Sequence, residues 1–218
     1  MNRTLASRLL GVAAPALATA LLVAACAGDE TSSGSATGSA TTAVAWAGPA
    51  FVHPLPKPEF TLTTDEGRPY DFQRETQGKV ALLYFGYTNC PDACPAAMAN
   101  IALAVKRLPA AARAKVVTVF VTTDPTRDTP DKLKAWLAQF DPGIVGLTGS
   151  PQAIAQAQGQ AQLPVASFEP DPSASPGGYA VDHAAVILAF NTQGVAPVAW
   201  PDGITVTGIA QDLGRLTS

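Results

Sequence analysis

V-A-L-L-Y-F-G-Y-T-N-C-P-D-A-C-P runs from Val80 to Pro95. Its first six residues, Val80 to Phe85, are apolar or aromatic without interruption. That is the length and composition of a strand buried on both faces, and Gly86 then opens a loop. The loop carries Cys90 and Cys94, so two thiols are delivered to the end of a core strand. Pro95 suits a first helical position because its missing N–H would have no partner there, and Ala96 to Leu108 continues in helix formers. The pattern predicts a helix with Cys94 as its cap, where the helix dipole favours a thiolate.

In a turn or helix, residues four apart face the same way. Cys90 and Cys94 can therefore close a disulfide or hold one ion between them. Two inert buried cysteines are the plain alternative, but Pro91, Asp92 and Pro95 describe a loop rather than a core.

On either side the chain alternates strands and helices. Glu59 to Thr64, the turn Asp65-Glu66-Gly67-Arg68-Pro69, and Tyr70 with Phe72 read as a hairpin. Lys115 to Thr122 is a β-branched run suited to a second buried strand. Thr129-Pro130 opens a helix through Leu133, Trp136, Leu137 and Phe140. Ile144 to Leu147 is a short strand, and Ser150-Pro151 starts a helix to about Gln160. Residues 165–178, rich in proline, glycine and serine, read as a long loop beside whatever site the fold builds. Ala184 to Phe190 is a third buried strand, Val195 to Trp200 closes a hairpin with it, and Ile204 to Leu216 is a final helix. This order indicates an α/β domain over residues 51–218, with a central mixed, mainly parallel sheet flanked by helices, an N-terminal hairpin and an insertion loop.

Arg3 and Arg8 precede an apolar run that ends Leu22-Val23-Ala24-Ala25-Cys26, a secretory leader over residues 1–25. Its end is similar to a bacterial lipobox, which makes Cys26 the lipid-bearing first residue of the mature chain. An ordinary cleaved signal or a retained membrane helix are the alternatives. The chain has three cysteines. With Cys26 as an anchor, Cys90 and Cys94 remain as a working pair in an extracytoplasmic setting where dithiols oxidise readily. Residues 26–50 are mostly Gly, Ser, Thr and Ala and read as a flexible tether, with Trp46 and Phe51 the first side chains to dock. The formal net charge is −3, and loss of Arg3 and Arg8 makes it −3 − 2 = −5. No basic stripe marks a nucleic-acid partner.

The chain has two histidines that could supply a third donor. His53, in H-P-L-P, reads as a solvated bystander. His183 directly precedes the strand Ala184 to Phe190, so its imidazole can reach a site built at the end of a neighbouring strand, or it can be a strand-end histidine with no ligand role. Two thiolates and an imidazole form a soft three-point set suited to Cu(I) and adaptable to Cu(II), whereas a closed zinc site would require a fourth donor. Asp182 either orients His183 or caps a turn. Asp124 and Asp128 follow the second core strand, on the edge that carries the cysteine loop if the two strands are parallel. They are either parts of the site or a turn and a helix start.

Y-F-G-Y-T-N-C-P-D-A-C-P, D-P-T-R-D-T-P, G-L-T-G-S and V-D-H, in that order and followed by a core strand, resemble the Sco (SenC) family of thioredoxin-like copper-binding proteins. The resemblance extends from about Glu59 to the C-terminal helix. It implies a thioredoxin-like fold and a membrane-anchored protein that delivers copper to the dinuclear site of cytochrome c oxidase, or reduces the cysteines of that site. It places the copper ligands on Cys90, Cys94 and His183 and the neighbouring aspartates on Asp124 and Asp128. The partners it implies are the oxidase copper-site subunit, and with it other copper chaperones or thiol reductants. Two departures stand out: an anchor on Cys26 rather than a membrane helix, and the proline-rich loop at 165–178.

Two functions of different class follow. One is a metallochaperone that holds copper through Cys90, Cys94 and His183 and passes it on by ligand exchange. The other is an enzyme, a thiol-disulfide reductase in which one of Cys90 and Cys94 attacks a partner disulfide and the other resolves it. The extra residue compared with C-x-x-C, and a histidine where a thioredoxin would carry proline, favour the first. A peroxidase is disfavoured, because Leu83 and Tyr87 stand where a peroxiredoxin nucleophile loop carries proline and threonine.

Overall fold

The computed structural model describes residues 45–170 and 178–218. The leader, Cys26, the tether up to residue 44 and residues 171–177 lie outside the described residues. The strands are β1 (Ala50–Pro56), β2 (Thr61–Thr64), β3 (Pro69–Asp71), β4 (Val80–Gly86), β5 (Val116–Thr122), β6 (Val145–Thr148), β7 (Ser167–Pro170), β8 (Tyr179–Asp182), β9 (Val186–Phe190) and β10 (Val195–Pro201). The helices are α1 (Phe72–Glu75), α2 (Ala93–Lys106), α3 (Ala110–Arg113), α4 (Pro130–Leu137), α5 (Pro151–Gln160) and α6 (Val206–Leu216).

Eight strands form one sheet in the order β1-β10-β9-β4-β5-β6-β2-β3. β4 is central, and every one of its seven residues is buried. The alternation of a strand explains why an uninterrupted apolar run was needed. Val80, Leu82 and Tyr84 enter a core with Met98 and Ile101 of α2, Leu133 of α4, and Ile209 and Leu213 of α6. Ala81, Leu83 and Phe85 enter a second core on the other face, with Phe60, Phe72, Ile154 and Ala157.

The sheet is mixed, as expected, but it is not mainly parallel. Only the β4–β5 and β5–β6 pairings are parallel. β9 runs antiparallel to β4, β10 to β9, β1 to β10, and the β2–β3 hairpin is joined antiparallel through β2 to β6. Strand-helix alternation in the sequence reports crossovers, which exist only around β4, β5 and β6; the hairpin-linked strands add antiparallel edges.

Three further differences have local causes. β1 includes Pro54 and Pro56 and, among the described residues, pairs only with β10, as an edge strand, where a missing N–H costs nothing in the ladder. His53, on this strand, is exposed. The loop expected at 165–178 carries a two-stranded antiparallel sheet, Ser167 to Pro170 against Tyr179 to Asp182. All of β7 is exposed, so no apolar alternation announced it. Finally, α2 begins at Ala93 with Asp92 as its cap, so Cys94 lies inside the first turn and Pro95 one residue further along. The first turn of a helix has several N–H groups without partners, so proline there does not fix which residue comes first.

Near its start the described chain is fixed by α6. Both carboxylate oxygens of buried Asp212 accept from the Ala47 N–H, and one also accepts from Trp200 Nε1 at 2.9 Å. The Arg215 guanidinium stacks on Trp46, 3.7 Å from its ring centre.

Candidate metal centre

Cys90 and Cys94 follow the C-terminal end of β4, and His183 directly follows β8, three residues before the start of β9, which is paired with β4. The ligand atoms of these three residues lie within 4.8 Å of one another, and among the described residues they are the one such group of three. Cys94 Sγ is 3.4 Å from His183 Nε2. The Cys94 N–H donates to Cys90 Sγ at 3.3 Å, so the first turn of α2 points a backbone donor at the other thiol. Both thiols are free, Cys94 fully buried and Cys90 half-buried.

A first-row metal lies about 2.3 Å from thiolate and about 2.0–2.1 Å from imidazole, which puts the donors of a trigonal site roughly 3.8–4.0 Å apart. The present spacing needs only side-chain adjustment to reach that arrangement. The two thiols are electrostatically unequal. The hydrogen bond from Cys94, followed by His183 and the backbone N–H groups of Cys94 and Asp92, holds Cys90 well below the ordinary thiol range. The same bond to Cys90, together with burial, pushes Cys94 up. The outer sulfur is thus the more acidic of the two, and binding a cation at this pair is linked to loss of thiol protons.

Aromatic rings enclose the imidazole. Tyr87 and Tyr84 meet it edge-on, with centroids 5.6 and 6.0 Å away. The Tyr84 hydroxyl donates to Cys94 Sγ at 3.8 Å, and burial, with the nearby thiols adding to it, raises the pKa of both tyrosines. His183 Nδ1 is buried with no hydrogen-bond partner among the described residues. Asp182 is exposed, and among the described residues no hydrogen bond joins it to the ring.

The two aspartates are both buried and hold different parts of the site. Asp128 accepts from the Thr88 N–H at 2.9 Å, from the Thr88 hydroxyl, and from the Thr122 hydroxyl at 2.7 Å, tying the cysteine loop to β5. Asp124 accepts from Arg127 Nε and from the Tyr179 hydroxyl at 2.8 Å, facing the strand that leads to His183. Thr88, Arg127 and Tyr179 escaped the reading of the sequence. Thr88 and Arg127 lie within the Y-F-G-Y-T-N-C and D-P-T-R-D-T-P motifs and Tyr179 two residues before V-D-H, but only the fold shows which of them meet.

A dithiol loop at the end of a central strand, completed by a histidine from an adjacent connection in a thioredoxin-like sheet, defines a class of soft three-donor metal-site proteins. The profile described as SCO1/SenC matches residues 53–218, and the chain belongs to that family. It is 34% identical over 134 residues to the mitochondrial SCO1 homolog 1 of Arabidopsis thaliana, covering 62% of this chain and 39% of that relative. The chain thus spans well under two thirds of that curated relative. Among solved structures, apo Sco1 from Thermus thermophilus superimposes with a TM-score of 0.68 at 30% identity, covering 79% of this chain and 97% of that one. Bradyrhizobium japonicum ScoI with copper bound gives 0.63 at 32% identity, with 74% and 99% covered.

Proposed function

We propose that this chain is a copper metallochaperone that carries one copper ion on Cys90 Sγ, Cys94 Sγ and His183 Nε2 and passes it to the copper-site subunit of a cytochrome c oxidase. The convergence of those three donor atoms within 4.8 Å carries the reading. The donor set suits copper, and the copper-bound B. japonicum relative supports the choice of metal. Transfer by ligand exchange requires reachable donors. Cys90 and His183 are both partly exposed, so an acceptor thiol can approach the ion while Cys94 retains it from the buried side.

A reductase role also has geometry in its favour: Cys90 is partly exposed and its sulfur accepts the Cys94 N–H at 3.3 Å, whereas Cys94 is buried behind it. The Cys90 thiolate would attack a partner disulfide and release one partner thiolate. Cys94, giving up its proton, would then attack Cys90 Sγ to free the second partner thiol, leaving a Cys90–Cys94 disulfide. His183→Ala separates the roles. A chaperone loses its third ligand, so oxidase metallation at limiting copper should fail, while reduction of a model disulfide stays within about tenfold of the starting rate. Full metallation of the oxidase by His183→Ala would remove the chaperone reading and leave the reductase.

The protein is further proposed to be held on the extracytoplasmic face of the cell membrane by lipid on Cys26. The lipobox-like sequence Leu22-Val23-Ala24-Ala25-Cys26 supports this. Mass spectrometry of the mature N-terminus should find diacylglycerol on Cys26, and Cys26→Ala should release the protein or leave it unprocessed. An unmodified Cys26 at the mature N-terminus would overturn the anchor.

A further inference from the structure

We propose that Arg127 and Tyr179 form a latch that positions His183 for copper, an inference that rests on the metal-site reading above. His183 lies on the short connection between β8 and β9. β8 is not part of the main sheet; among the described residues its one strand partner is β7, which is exposed throughout. Main-sheet pairing therefore cannot hold the approach to His183; buried Val181 anchors the middle of β8 in the core, and another contact holds its start.

Arg127 supplies it. Its Nη1 donates to the Tyr179 carbonyl at 2.9 Å, and its guanidinium lies 3.7 Å from the centre of the Tyr179 ring. Its Nε donates to Asp124, which also accepts from the Tyr179 hydroxyl. Asp124 is fully buried at the end of β5, two residues beyond Thr122. The first residue of β8 is thus bound by its carbonyl, its ring and its hydroxyl to the rigid edge that also holds the cysteine loop through Asp128. Arg127 also lies 5.7 Å from the ring centre of Tyr87, whose edge packs on the His183 imidazole. A guanidinium is required because it serves a carboxylate, a carbonyl and an aromatic face together, whereas an ammonium is a point charge. Arg127 and Tyr179 are positioning residues: neither side chain belongs to the donor set, and both act through the place they give the imidazole.

The test measures copper affinity and the nitrogen hyperfine signature of Cu(II) in the reduced, metal-loaded protein for the starting chain, Arg127→Ala, Tyr179→Ala, and each of these combined with His183→Ala. Tyr179 is partly exposed, so its replacement keeps the part-buried Asp124–Arg127 pair and the fold. Each single substitution should weaken copper by roughly tenfold to a hundredfold, the range seen when a ligand's support is removed, and should diminish the imidazole signature. Arg127→Lys should restore affinity only in part. In the His183→Ala background neither substitution should cost more, since the ligand they position is gone. Unchanged affinity and signature in Tyr179→Ala and Arg127→Ala would overturn the latch, as would an undiminished loss in the His183→Ala background, which would mark general damage. A starting chain whose bound copper shows no imidazole nitrogen would instead refute the metal-site reading, so the two failures are distinct.

Discussion

Replacing Asp128 with Ala should separate the cysteine loop from the sheet and cost about 3–5 kcal/mol of stability. The carboxylate is inaccessible to solvent and accepts three hydrogen bonds, from the Thr88 N–H, the Thr88 hydroxyl and the Thr122 hydroxyl. A hydrogen bond to a charged group contributes about 1.5–3 kcal/mol, and deletion strands its donors in a buried setting. Water entering the space left behind recovers part of the sum, hence the figure given. Lys132 adds little, because its 3.7 Å pairing with Asp128 comes from a substantially exposed side chain. Asp128→Asn should cost about half as much. The amide keeps one accepting oxygen, and the Thr88 hydroxyl can turn to accept from the new NH2. The measurement is urea unfolding of the reduced, metal-free protein, with the slope of the transition checked for constancy between variants. Copper affinity should fall in parallel by roughly tenfold or more, since Thr88 is two residues from Cys90. A loss below about 1 kcal/mol at unchanged slope would show that these bonds do not hold the loop, and the reasoning would fail.

Two further outcomes follow from the close packing and the charge inequality of the site. In Gly86→Ala a new Cβ would stand 2.7 Å from the Tyr84 ring and 2.8 Å from Cys94 Sγ, so the inner sulfur must move; copper affinity should drop about tenfold and stability by about 1–3 kcal/mol, and isothermal titration giving the starting affinity would contradict this. A lowered pKa keeps Cys90 a thiolate as pH falls, whereas an ordinary thiol of pKa about 8.5 is only about 0.3% ionised at pH 6. Alkylation mapped by mass spectrometry should therefore label Cys90 at pH 6 nearly as fast as at pH 8 and leave Cys94 unmodified. Preferential labelling of Cys94, or a Cys90 rate falling tenfold per pH unit, would reverse the assignment.

Much of this protein was legible in its sequence, because the informative features are local. The uninterrupted run Val80 to Phe85 specifies a strand covered on both faces. Thr129-Pro130 and Ser150-Pro151 mark helix starts by their own chemistry, and in the structure both hydroxyls cap their helices. Cys90, Cys94 and His183 could be nominated because few residue types bind soft metals and the chain contains few of them. Relations between distant segments decided the rest. Strand direction outside β4, β5 and β6 depends on which edges pair, and periodicity does not record that. The exposed strand β7 shows no alternation, because it has no core to face. Asp124 and Asp128 looked equivalent in D-P-T-R-D-T-P, yet one reaches Tyr179, 55 residues along the chain, and the other reaches Thr88, 40 residues back. Asp182, adjacent to His183 in sequence, turns to solvent, while Arg127, far from it in sequence, holds its strand. Residue types and their spacing set the available chemistry; side-chain direction and long-range contact, which exist only once the chain has closed on itself, determined which residues support it.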